Sequence, residues 1–277
     1  MVYNQADEEY DGLVRKILKF GKLRASRAGN TIGLFGPQLT FDLTEGFPLL
    51  TTKALNFNNI YHELMWFLRG ETNIKTLKAP QLWAPWADKD GDCGPIYGFN
   101  WTKWRATQQS CLGEEKIQIN QIQILIDKIK SNPNDRRLIV SAWNVADLDK
   151  MALPPCHCFF QCYVDGEFLD LKLYQRSADV AIGVPYNIAS YALLMHLLAQ
   201  ECYLKPRFLY HTFGDVHIYE HHIEKIQKQI EREPKLTPRL KFNSDFFLET
   251  YALRDDPEDV TLLGYESHPF IKFPLNI

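Results

Sequence analysis

Residues 187–204, NIASYALLMHLLAQECYL, are apolar on nearly every face at helical spacing. A helix without a polar face has no place on a protein surface. Interrupted by Asn, Gln and Glu, it is also too short and too polar to span a bilayer. It therefore requires a centre, with other elements enclosing it. A chain of 277 residues has enough material to do this, as one large domain or two small ones.

The rest of the sequence supplies those elements. Helical periodicity runs over 7–22 (Tyr10, Leu13, Val14, Ile17, Leu18), 58–70, 119–133 and 218–233. In the second of these, Ile60, Leu64, Met65, Phe67 and Leu68 make the apolar face and Gly70 is placed as a C-cap. Strand character marks 31–43 (broken by Gly36-Pro37), 137–143, 207–213, and two runs flanking the hairpin signal Asp165-Gly166. Residues 80–105, dense in Trp, Pro and Gly, are expected to cover a pocket or an interface. A loop-rich tail follows the last helix. With no repeat, low-complexity tract or linker, the chain reads as one α/β domain over 1–277.

Hydrophobic residues at 45% and a net charge of -3, with no basic arm, argue against nucleic acid as the main partner. A small anion needs only a local arginine cluster. The opening MVYNQADEEYDGLVRKIL is charged and amphipathic and does not read as a signal peptide. The expectation is a cytoplasmic protein, outside membranes, whose six cysteines are reduced thiols.

Three of those cysteines fall within LPPCHCFFQCYVDG (153–166). A zinc site would want paired C-x-x-C or H-x-x-x-H spacing, which Cys156, Cys158 and Cys162 do not provide. On a strand they would share one face, so Cys158 and Cys162 read as small core residues. Cys156, after Pro154-Pro155 and before His157, is a candidate nucleophile if positive charge stands near it. Arg136-Arg137 and the Gln175-Arg176-Ser177 run are sources of such charge, and paired arginines suit bidentate phosphate binding. The run HTFGDVHIYEHH (211–222) could ligate a metal, or His217 and Tyr219 could share a face as hydrogen-bond donors. Glu63, inside an otherwise apolar helix, is a candidate general acid or base.

The blocks ALPPCHCFFQCYV, LYQRSADVAIGVPYNIASYALL and HTFGDVHIYEHH, in this order and spacing, resemble the thymidylate synthase family. GFPLLTTK, HELMWFLRGETNI, GDCGPIYG, NDRRLIVSAWN and HPFIK extend the resemblance over nearly the whole chain. It implies an α/β (α+β) fold with a large twisted mixed β-sheet packed by helices, the sheet forming a homodimer interface. It also implies one-carbon transfer from 5,10-methylenetetrahydrofolate to C5 of dUMP, without a metal. Carried over by position, Cys156 would add to C6 of the pyrimidine. Gln175, Arg176 and Ser177 would hold the nucleotide and its phosphate, with Arg27 and with Arg136 and Arg137 donated by the other subunit. Asn187 would read the base edge, and an amide there favours uracil over cytosine. His217 and Tyr219 would hold the sugar hydroxyl. Glu63, Tyr97, His157 and Asp179 would manage protons and water. Lys53, Asn59, Trp83, Trp86, Asp179, Gly183, Tyr186, Asn276 and Ile277 would face folate.

The folate half departs from the family pattern. SRAGNT (26–31) is shorter than the usual loop; Ala54, Asn56 and Ala84 replace residues of the folate site, and His221 stands where Asn is common. Tyr186 stands where Phe is usual, and Asn276 where Ala is usual. These changes add polarity where a synthase must keep water from the methylene intermediate. The reading is therefore a dUMP hydroxymethylase-like branch, releasing 5-hydroxymethyl-dUMP and tetrahydrofolate. The alternative is a thymidylate synthase giving dTMP and dihydrofolate; a third reading is a catalytically silent dUMP-binding dimer.

Overall fold

The computed structural model describes residues 4–26, 28–110, 113–243, 245 and 247–275. Helix α1 (Gln5–Phe20) opens the chain, capped by the Asn4 side chain, which accepts from the N–H groups of Ala6 and Asp7. Strands β1 (Lys22–Ser26), β2 (Gly29–Phe35) and β3 (Gln38–Asp42) follow, then α2 (Phe57–Leu68), α3 (Tyr97–Thr102), and the hairpin β4 (Trp104–Ser110) with β5 (Gly113–Ile119). Helix α4 (Gln121–Ser131) leads to β6 (Ile139–Ser141), β7 (His157–Asp165) and β8 (Phe168–Asp179). The apolar helix is α5 (Gly183–Glu201), followed by β9 (Lys205–Tyr219) and α6 (Ile223–Gln229). Strand β10 (Arg239–Phe242), α7 (Leu248–Arg254) and β11 (Val260–Leu263) precede the tail.

Seven strands form one sheet in the order β1-β2-β9-β8-β7-β6, with β3 paired to the first half of β9. The β8–β9 pair is parallel and its neighbours are antiparallel, so the sheet is mixed. The β7–β8 hairpin turns at Gly166, whose φ of 58° is a left-handed value that the sequence meets with glycine.

Helix α5 packs on β8 and β9 and is covered on its other side by α2 and α7. Fourteen of its residues are buried, as a helix without a polar face requires. Truncating one, such as Leu194→Ala, should cost roughly 2–5 kcal/mol. Gly98 lets α3 touch α2: a Cβ there would lie 2.1 Å from the Phe67 carbonyl oxygen. That contact sets Tyr97, one residue earlier, beside the Glu63 turn of α2. Among the described residues no helix is long and apolar enough to cross a membrane.

Candidate active site

The C-terminal ends of β8 and β9, the start of α5, the middle of α2 and the tail enclose a cavity of about 570 Å³, well within the size of small-molecule sites. Cys156, just before β7, His157 at its first position, and Gln175, Arg176, Ser177 and Asp179 at the end of β8 line one side. His217 and Tyr219 come from β9, and Gly183, Tyr186 and Asn187 from the first turns of α5. Lys53, Asn59, Glu63, Trp83, Trp86 and Tyr97 complete the set. Arg136 and Arg137 are exposed and line no part of this cavity. Arg27, Asn276 and Ile277 lie outside the described residues.

The tyrosine hydroxyl of Tyr97 accepts the backbone N–H of Cys156 at 2.8 Å and lies against its thiol. Burial pushes the Cys156 thiol up from its ordinary value, against the opposing pull of the Arg176 cation and the Tyr97 hydroxyl. The expected cation is present, since Arg176 does pull this thiol down, but desolvation outweighs it. Further positive charge beside the sulfur would favour the thiolate. Cys158 and Cys162 are buried at 7% and 1% exposure, in the core role read from the sequence.

His157 stacks on Tyr97 with ring centroids 3.9 Å apart, and its Nδ1 meets the Tyr191 hydroxyl at 2.8 Å. Burial drives its pKa down to about 3, so the imidazole is neutral at physiological pH. A bulge between His157 and Phe159 buries both His157 and Cys158, which simple alternation along β7 would not allow.

Glu63 reaches the cavity from α2 and accepts the Trp83 indole N–H at 2.8 Å. Burial raises its pKa to about 7, the range a general acid or base needs near neutrality. Tyr186 lies on the same wall; its hydroxyl takes the backbone N–H of Asn56, the cap residue of α2, and feels the Glu63 charge. On the base-reading side, buried His211 donates from Nε2 to Gln175 Oε1 at 2.7 Å. Gln175 in turn donates from Nε2 to Asn187 Oδ1 at 3.1 Å. The Asn187 amide is thereby turned with its N–H groups available to a ligand.

Trp83, Trp86, Leu82, Ile182 and Phe273 offer flat apolar surface beside the Asp179 carboxylate, a fit for a flat heteroaromatic group. Lys53 donates to the Ala181 carbonyl, lies 5.0 Å from the Phe273 ring centroid, and has its pKa lowered by burial to about 7. Phe273 and the supporting residues Trp143, Tyr191 and His211 were not singled out from the sequence. Trp143, Tyr191 and His211 lie inside the quoted blocks, but each acts by a contact across the fold that no local spacing shows.

A thiol, a cation that can seat an anion, an oriented amide and a buried carboxyl thus converge on one cavity. A family model for thymidylate synthase matches residues 8–277. The chain belongs to the thymidylate synthase family. It is a one-carbon transferase, and the family's reaction is folate-dependent transfer to C5 of dUMP with methylenetetrahydrofolate as co-substrate. The large mixed sheet with its packed helices is the thymidylate synthase fold anticipated from the sequence.

Proposed function

We propose that this thymidylate synthase-family chain is a dUMP hydroxymethylase, one catalytic domain over 1–277, converting dUMP, methylenetetrahydrofolate and water to 5-hydroxymethyl-dUMP and tetrahydrofolate. Cys156 adds to C6 of the pyrimidine, which makes C5 nucleophilic. Arg176 and Ser177 seat the phosphate with Arg27, and Gln175 supports the nucleotide. Asn187 reads the uracil edge, and His217 and Tyr219 hold the sugar hydroxyl. Folate, when bound, supplies the one-carbon unit, held by Lys53, Asn59, Trp83, Trp86, Asp179, Gly183 and the tail residues Asn276 and Ile277. Glu63, Tyr97, His157 and Asp179 hold and move protons.

The observation that carries the hydroxymethylase reading is the Tyr186 phenol on the cavity wall, in electrostatic reach of Glu63. A hydroxyl beside a carboxyl that titrates near neutrality gives water a seat where an apolar ring would exclude it. The synthase reading is favoured instead by the apolar side chains of Phe273 and Leu275 on the cavity lining. Mass spectrometry of the nucleotide product, with absorbance followed at 340 nm, decides between them. A hydroxymethylated nucleotide without a dihydrofolate signal supports the hydroxymethylase; dTMP with rising absorbance overturns it. A silent homologue would bind dUMP and release no tritium from its C5.

The active form is proposed to be a homodimer in which Arg136 and Arg137 enter the other subunit's cavity. Their exposure and their absence from their own cavity support this, as does the exposed aromatic face of Phe159 and Tyr163 on β7.

A further inference from the structure

Trp143 follows β6, outside the cavity, and the guanidinium of Arg176 lies over its ring at 5.3 Å from the centroid. The same guanidinium donates through Nε to the Pro155 carbonyl at 2.9 Å and through Nη2 to the Pro154 carbonyl at 2.8 Å. The Arg176 backbone N–H donates to the Cys156 carbonyl at 2.7 Å. One residue therefore ties down the whole turn that presents the sulfur. Its bonded edges are Nε and Nη2, and among the described residues no carboxylate pairs with it, which leaves Nη1 to serve an anion. The indole face is the remaining electron-rich surface against this cation, and indole is the strongest such ring.

We propose that Trp143 is a positioning residue: its ring face holds the Arg176 cation beside the Cys156 sulfur before any nucleotide arrives. The inference rests on Cys156 being the nucleophile. Burial disfavours the thiolate at this site, and the Arg176 cation is one of two groups opposing it. Without the stack, only the two proline carbonyl bonds hold the guanidinium, leaving its placement beside the sulfur and in the phosphate seat less organised. The indole thus acts on reactivity and on nucleotide affinity through one guanidinium.

The test replaces Trp143 in the full-length protein with mono-, di- and trifluorinated tryptophans, which keep its shape and progressively weaken the ring's negative face. Iodoacetamide alkylation of Cys156, read by peptide mass spectrometry across pH without nucleotide, reports the thiol. Tritium release from 5-tritiated dUMP reports KM and kcat. The alkylation midpoint should rise in step with fluorination, and KM for dUMP should climb about 3- to 10-fold across the series while kcat changes less. Trp143→Phe should fall within the series and Trp143→Leu beyond its end. A flat response to fluorination overturns the proposal, as does equal damage in Trp143→Phe and Trp143→Leu. Separately, alkylation of wild-type Cys156 that leaves tritium release intact would sink the nucleophile assignment itself, so the two failures read differently.

Discussion

The indole N–H of Trp83 meets Oε1 of Glu63 at 2.8 Å, and this hydrogen bond opposes the burial of that carboxyl. Desolvation still prevails and carries Glu63 from 4.5 to about 7. A carboxyl that holds its proton more tightly when folded contributes stability below pH 4.5 and loses it as pH rises through 7. Relative to Glu63→Gln, which keeps an acceptor for Trp83, the wild type should lose up to roughly 3 kcal/mol across that window. Urea unfolding at pH 5, 6, 7 and 8 measures this difference, and a constant difference would refute the shift. Lys53, shifted down to about 7, acts in the opposite sense but is common to both proteins and cancels. In the same variant, tritium release from dUMP should fall about 10²- to 10⁴-fold and lose its pH limb near 7.

Tyr186 gives the sharpest test of product choice. Its hydroxyl accepts the backbone N–H of Asn56, while the Asn56 side chain caps α2 through the Asn59 N–H. Tyr186→Phe should cost about 1 kcal/mol, because that backbone donor is left without a partner. It should also shift product from 5-hydroxymethyl-dUMP toward dTMP, with a dihydrofolate signal appearing at 340 nm. An unchanged product ratio in a folded variant would leave Tyr186 with a structural role only.

What could be read from the sequence divides along physical lines. The cavity side chains were legible because motifs fix them: Cys156 after its proline pair, Arg176 after an apolar strand, Glu63 inside an apolar helix. Strand β1 was missed because all five of its residues are exposed and it is held as an edge by pairing with β2, with no alternation to detect. The β4–β5 hairpin is mostly polar and exposed in β5, with apolar pairs only near its base (Trp104 with Ile119, Ala106 with Ile117), too short a stripe to stand out. The helix expected from 218 begins at Ile223, because Ile218 and Tyr219 continue β9 where its second half pairs with β2. Trp143, Tyr191 and His211 hold Arg176, His157 and Gln175 from 33, 34 and 36 positions away, distances no local pattern spans.

That last relay carries a prediction about the base. His211 is fully buried, with its pKa driven down to about 3, so it stays neutral and donates to Gln175. Gln175 then fixes the Asn187 amide with its N–H groups toward the ligand, a match for the O4 acceptor of uracil and a mismatch for the amino group of cytosine. Replacing Gln175 with leucine frees the amide to turn. Discrimination for dUMP over dCMP, measured as the ratio of Kd values, should fall about tenfold, since one oriented hydrogen bond is lost. A ratio unchanged within twofold would show that Asn187 is oriented by the ligand rather than by its neighbours.

The exposed pair Arg136 and Arg137 tests the proposed homodimer. If each subunit completes the other's phosphate seat, a Cys156→Ser chain and an Arg136→Ala/Arg137→Ala chain fail in different halves of the assembly. Each alone should be nearly inactive in tritium release. Mixed, unfolded and refolded together, half of the dimers are hybrids, and each hybrid pairs an intact Cys156 with intact arginines at one of its two sites. Activity should then recover to about a quarter of the wild-type value, as expected for a two-fold assembly with shared sites. The cationic pair would also add to the charge that Arg176 already sets beside Cys156, so in the double-arginine variant its alkylation midpoint should move upward. No recovery on mixing, with hybrids present by native mass spectrometry, would place both arginines outside the site.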